Sequence, residues 1–243
     1  MATQVQDMLH FREELEELKS KLLEMGGLVE SAIHNSIYAL VERDEERAKE
    51  VMWKEAQVNQ KEMEIDDLAT RMLALFQPMA RDLRFITAVI KMNADLERMG
   101  DLAVNITERA LSLMQEPTLR PLVDIPKIAE LAESMVHRAL DAFARGDAEM
   151  AREVLLADDE VDNLRDAVYS ELIRFMQEER TTIQRAINLL FIAQNLERVA
   201  DHATNIAEDV IFMVLGKDIR HHAEEITPLD ASPLSDISTN IPR

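Results

Sequence analysis

A chain of 243 residues, 47% of them hydrophobic, can bury a sizeable core as one large domain or two small ones. Its 47 Asp and Glu against 27 Lys and Arg leave a formal net charge of −20, which repels polyanions and argues against nucleic-acid or anionic-lipid partners. The absence of cysteine excludes disulfides, thiolate metal sites and cysteine nucleophiles, while 4% aromatics with 5 Gly and 7 Pro disfavour a sheet and favour long helices.

Residues 1–7 carry no basic region followed by an apolar run, so no signal peptide is expected. Every apolar stretch is broken by charge short of the ~20 residues a membrane span needs. The first helical stripe is Leu15, Leu18, Leu22, Met25, Val29, Ile33, Ile37 and Leu40, with Gly26-Gly27 allowing a close approach or a kink. Asp44 suits the N-cap of a second helix, whose stripe includes Val51, Val58, Ile65, Leu68, Met72 and Leu75. Pro78 suits the first turn of a third helix, which runs through Leu83, Ile86 and Ile90 to Leu96, Met99, Ala103, Ile106, Ala110 and Leu113. Pro117, Pro121 and Pro126 then mark a boundary. Beyond it the plan recurs: a helix over 125–145, a Gly146-Asp147 break, a helix to about 179, and a last helix over 181–215 with Gly216 at its C′ position. The expected organisation is all-α, two tandem homologous three-helix bundles over 1–116 and 117–222, followed by a disordered tail over 223–243.

The recurrence is in register. Leu96-Glu97-Arg98-Met99-Gly100-Asp101 and Leu196-Glu197-Arg198-Val199-Ala200-Asp201 lie 100 residues apart, and both continue to an Asn-Ile pair at Asn105 and Asn205. Asp44 matches Asp147 at an offset of 103, and Ile65 matches Val161 at 96. On the third helix of each half, Glu97-Asp101-Asn105 and Glu197-Asp201-Asn205 step by four and so climb one face. The second helices carry Glu62-Asp66 and Asp158-Asp162, again matched at 96. Antiparallel packing would set the two acidic pairs of each half opposite one another.

Like charges at i,i+4 destabilise a lone helix by a few tenths of a kcal/mol, so four converging carboxylates call for a cation. Oxygen-only ligands suit Mg²⁺, Mn²⁺, Ca²⁺ or iron, and the two Asn could add a neutral ligand or orient a water. Against this, ~9 acidic i,i+4 pairs arise by chance at this composition, and any one is most simply a solvated face. Arg98 and Arg198 could also neutralise the acids without metal. The lone Trp53 reads as packing or a partner contact. A ferritin-like dimetal enzyme needs Glu-x-x-His, which no histidine here provides, the nearest spacings being Asp7-His10 and Asp218-His221. No nucleotide loop or nucleophile–base pair is present either.

The repeated Leu-Glu-Arg-x-x-Asp-x-x-x-Asn-Ile, the acidic pairs on the preceding helices, Met25-Gly26-Gly27-Leu28-Val29-Glu30 and the closing Gly216-Lys217-Asp218-Ile219-Arg220-His221 together resemble the PhoU family over almost the whole chain to His222. The resemblance implies a non-enzymatic cytoplasmic regulator, often homodimeric, held at the inner membrane only through protein partners. It implies contacts with the ATPase subunit of a phosphate ABC transporter and with a sensor histidine kinase, repressing the phosphate-starvation response and restraining uptake. It further implies metal ions (iron, Mg, Mn or Zn) at Glu62, Asp66, Glu97 and Asp101 in one half and at Asp158, Asp162, Glu197 and Asp201 in the other. The shorter Asp158 at the place of Glu62 departs from the first half and bears on metal number or identity. A metal-free helical interaction module and a carboxylate-bridged metalloenzyme are the alternatives from other classes.

Overall fold

The computed structural model describes residues 2–119 and 124–220 and is built of long helices. They are α1 (Ala2–Glu42), α2 (Glu45–Phe76), α3 (Ala80–Met114), α4 (Ile125–Arg145), α5 (Ala148–Glu178) and α6 (Ile183–Leu215), with a 3₁₀ turn at Arg180–Thr182. No strand occurs among the described residues. Pro121 and the tail over 223–243 lie outside them.

The turns obey local chemistry. Asp44 accepts from the amides of Glu46 and Arg47 at 2.9 and 3.2 Å, and Asp147 does the same for Glu149 and Met150 at 3.0 and 3.1 Å. Each cap satisfies two orphan donors and contributes about 1 kcal/mol. Gly146 and Gly216 end α4 and α6 in the left-handed conformation at φ 64° and 69°. Pro78 does not enter α3. It lies in a short connection between Gln77, itself left-handed, and the extended N-cap Met79. Pro126 is the one that occupies a helical first turn, at the start of α4.

Within each half the three helices pack against one another, and the halves join along α3 with α6 and along α1 with α4. Most of the apolar stripes bury as their spacing predicts: Leu96, Met99 and Ile106 of α3 and Leu196, Val199 and Ile206 of α6 are fully buried in a core continuous through both halves, whereas Leu75 and Leu83, flanking the α2–α3 connection where the helices end, are 67% and 41% exposed. Each fully buried side chain contributes about 1.5–3 kcal/mol.

The Gly26-Gly27 pair neither breaks nor ends α1. Gly26 marks a close approach, since a Cβ there would lie 2.7 Å from Leu140 Cδ1 on α4, whereas one at Gly27 would meet nothing within 4 Å. Gly26→Val should therefore overpack this crossing and cost about 1–2 kcal/mol. Gly27→Ala should gain roughly 0.5–1 kcal/mol from helix propensity. Opposite shifts in thermal midpoint are the expected result, and two shifts of the same sign would contradict the packing described.

Candidate metal-binding grooves

The first groove lies between the antiparallel α2 and α3. These helices approach closely where Gly100 faces Val58, a Cβ on the glycine falling 3.2 Å from Val58 Cγ1. Asn93, buried on α3, donates to the Glu62 carbonyl and to Asp66 Oδ1, each at 3.0 Å, which ties the two helices together beside the acids. Its own Oδ1 is buried without a partner. Glu97 is half-buried, and burial pushes its carboxyl above the ordinary carboxylate range, with Asp101, Glu62 and Glu55 adding to the rise and Arg98 opposing it. Glu62, Glu97 and Asp101 thus share one negative field, and Asp66 is held at its edge by Asn93. Asn105 is exposed at the end of the stripe.

The second groove, between α5 and α6, is more crowded. Burial, then Asp201, Asp162, Asp159 and Glu197, push the Asp158 carboxyl from the ordinary 3.8 up to about 6. Glu197 is raised by burial and by Asp201 and Asp162, with Arg165 opposing. Asp201 is exposed as a whole residue, yet the helices around it remove enough water to raise it, and Asp162 adds to the effect. All four acids matched by the repeat therefore feel one another here.

A guanidinium stands among them. Arg165 of α5 lies 3.0 Å from Asp162 Oδ1, 2.5 Å from Glu197 Oε1 and 3.0 Å from Asp166 Oδ1. At the offset of 96 that relates Asp162 to Asp66, its counterpart is Ala69, which is buried. The second half carries its own counter-ion at this position and the first half does not. Arg98 and Arg198 act only at longer range: both are exposed and ease the rise at Glu97 and Asp201, but no ion pair within 4 Å is seen for either among the described residues.

Asn205 turns to the junction between halves. Its amide donates to Asp95 Oδ1 at 3.2 Å, the same oxygen that faces His202 Nδ1 at 2.7 Å. Lys91 reaches the largely buried Asp209 at 2.8 Å across the same α3–α6 seam. The sequence pattern missed Asn93, Arg165 and the Asp95–His202 pair because none of them repeats. Asn93 is matched by Ala193, Asp95 by Asn195 and His202 by Leu102 at the offset of 100.

The donor set is oxygen throughout and suits hard cations. Repulsion among acids of which Glu97, Asp158 and Glu197 are partly buried and Asp66, Asp101 and Asp201 exposed, with an orphaned amide oxygen beside the first set, fits a bound metal. Its chemistry would be charge neutralisation across two helices. Among the described residues no three Asp, Glu or His side chains already converge at ligand distance, so metal capture requires their rotation.

A PhoU domain model matches the chain twice, over residues 22–110 and 125–210. The phosphate-specific transport system accessory protein PhoU homolog of Pseudomonas aeruginosa is 42% identical over 212 residues, covering 87% of this chain and 88% of that one. The corresponding homolog 2 of Thermotoga maritima is 39% identical over 214 residues, covering 88% and 91%. The crystal structure of PhoU from Pseudomonas aeruginosa superposes with a TM-score of 0.83 at 41% identity, over 85% of this chain and 100% of that one. The phosphate transport system regulatory protein PhoU from Streptococcus pneumoniae gives 0.79 at 30%, over 86% and 98%.

Proposed function

Because this chain belongs to the PhoU family, we propose that it is an accessory regulator of phosphate transport, acting through protein contacts rather than by catalysis. It restrains phosphate uptake and represses the starvation response by engaging the ATPase subunit of a phosphate ABC transporter and a sensor histidine kinase. It works in the cytoplasm as a homodimer and reaches the membrane through these partners. No helix among the described residues is long and apolar enough to cross a membrane, which is consistent with that placement.

The observation that carries the mechanism is the pairing of acids across α2–α3 and α5–α6, where partial burial and neighbouring acids push Glu97 in the first groove and Asp158, Glu197 and Asp201 in the second above the ordinary carboxylate range. Metal held by Glu62, Asp66, Glu97 and Asp101, and by Asp158, Asp162, Glu197 and Asp201, cancels that repulsion and stiffens each helix pair. The stiffened faces are the ones offered to the transporter and kinase. Capture from extract of cells grown at high and low phosphate, with and without chelator, tests this directly. Chelator-sensitive recovery of an ABC ATPase and a histidine kinase is expected. Recovery that ignores chelator would replace this reading with a metal-free interaction module, which the Arg165 bridge favours, because it neutralises two acids with no ion present.

Trp53 sits on α2 and is 68% exposed, so it is not a packing residue. Met52 beside it is also exposed. An apolar aromatic in that position serves a partner better than it serves the core. Trp53→Ala should leave the thermal midpoint within about 1 °C, the usual range for a surface change, and weaken partner capture roughly tenfold or more, as loss of an interface anchor does. Undiminished capture would remove Trp53 from the interface.

A further inference from the structure

The crossing of α1 and α4 carries a second repeated constellation, apart from the acid stripes. Glu30, Ser31 and His34 of α1 recur as Glu133, Ser134 and His137 of α4, at the offset of 103 that also relates the caps Asp44 and Asp147. All six line one open groove of about 620 Å³. Gly27 adds no side chain to its wall, and Glu130 adds a third carboxylate. Neither Lys nor Arg is among the lining residues, although Lys54 donates to the Ser31 hydroxyl.

The pairing across the groove is reciprocal. His137 Nδ1 lies 2.8 Å from Glu30 Oε1, and His34 Nδ1 lies 3.4 Å from Glu133 Oε2. Each ring is thereby oriented by a carboxylate through one nitrogen, the arrangement by which metal-binding imidazoles are held while the other nitrogen coordinates. The rings are 64% and 66% exposed, so both are open to an incoming ion, while the carboxylates are half-sheltered at 32% and 31%. Within each helix Glu and His stand four residues apart and so share one face.

We propose that this groove is a second, nitrogen-containing metal site that takes one divalent transition-metal ion of the zinc class, with His34 and His137 as ligands and Glu30 and Glu133 as ligands or as the groups that orient the rings. Imidazole donors select zinc, nickel or copper over magnesium and calcium, which separates this site chemically from the all-oxygen stripes. The ion would bridge the two halves of the molecule, since each half supplies one Glu-x-x-x-His. In the present arrangement each imidazole faces a carboxylate and no three ligands meet, so binding entails rotation of these exposed rings.

The test uses Zn²⁺ itself. The probe protein has all eight stripe acids changed to their amides, so that the oxygen sites do not compete. Calorimetric titration should find one Zn²⁺ per chain, and His34→Ala with His137→Ala should weaken binding at least tenfold. In the unaltered protein the ring nitrogens of His34 and His137 should shift on titration with Zn²⁺ to saturation, so that the stripe acids cannot divert the ion, with those of His10 and His202 unmoved. Absence of zinc binding by the amide protein, full binding after loss of both histidines, or stationary His34 and His137 resonances would each overturn the proposal. None of these outcomes depends on the phosphate-regulator reading.

Discussion

Stripped of divalent cations, the protein should lose stability as the pH rises from about 4 to 7. In the folded chain the Asp158 carboxyl is raised to about 6, and Glu97, Glu197 and Asp201 are raised in the same direction. Through this window the folded state binds more protons than the unfolded chain, so the unfolding free energy falls as pH climbs from the unfolded values through the folded ones. For Asp158 the rise would correspond to ~3 kcal/mol in a fully buried site; solvent screening of this half-exposed carboxyl reduces it to about 1 kcal/mol, and coupling spreads that cost over the four acids of the groove. Asp209 and Glu133 titrate upward as well, so the diagnostic is a difference. Asp158→Asn should flatten the profile between pH 4 and 6 and raise the chelated protein's midpoint at pH 7 by a few degrees, at roughly 2–4 °C per kcal/mol. Adding metal to the parent at pH 7 should recover the same stability. A wild-type-like slope in the Asp158→Asn protein would show that the carboxylates of the second groove do not oppose one another.

Replacing Arg165 by Met should have two effects of opposite sign. In chelator the variant should be less stable by about 2 kcal/mol, because Asp162 and Glu197 lose the guanidinium between them in a part-buried setting. With metal present it should be the better binder, since the ion no longer competes with a built-in positive charge. A gain of roughly tenfold in affinity at the second groove corresponds to about 1.4 kcal/mol. The first groove, with Ala69 at the matching position, should be unaffected. Calorimetric titration of parent and variant measures both terms. A variant that loses stability without gaining affinity would identify Arg165 as the permanent occupant of the second groove and favour the metal-free module.

Most of the helical plan is legible in the sequence, because the apolar stripes and caps are local signals. Asp44 and Asp147 each cap as their position before a charged first turn suggests. Pro78 shows where local reasoning stops: a proline fits a first helical turn or the link before it equally well, and the left-handed Gln77 places it in the link. The acids of the grooves are legible as matched i,i+4 pairs. Their electrostatics are not, since crowding depends on how closely α5 and α6 exclude water.

Arg165 and Asn93 are hidden from a search for repeats, because each stands opposite an alanine in the other half. The same duplication that makes the stripes visible hides what distinguishes the halves. Glu30-His34 and Glu133-His137 were readable as a repeated pair, but a search for Glu-x-x-His passes over Glu-x-x-x-His. Asn205 illustrates the opposite failure: its place in the repeated motif suggests the groove, while its amide is bonded to Asp95 across the seam between halves. Trp53 carried no directional signal in the sequence, and its exposure appears only once α1 and α3 have covered the other side of α2.

The claim on which the account turns is that acids crowded between paired helices hold metal. Metal content per chain, measured by elemental analysis of protein purified without chelator, tests it most directly. The comparison is between the parent sequence and Glu97→Gln with Asp101→Asn, Glu197→Gln and Asp201→Asn, both carrying His34→Ala and His137→Ala so that the histidine groove does not contribute. The account predicts bound metal in the first and its loss in the second, with the fold intact. Equal metal in both proteins would contradict it.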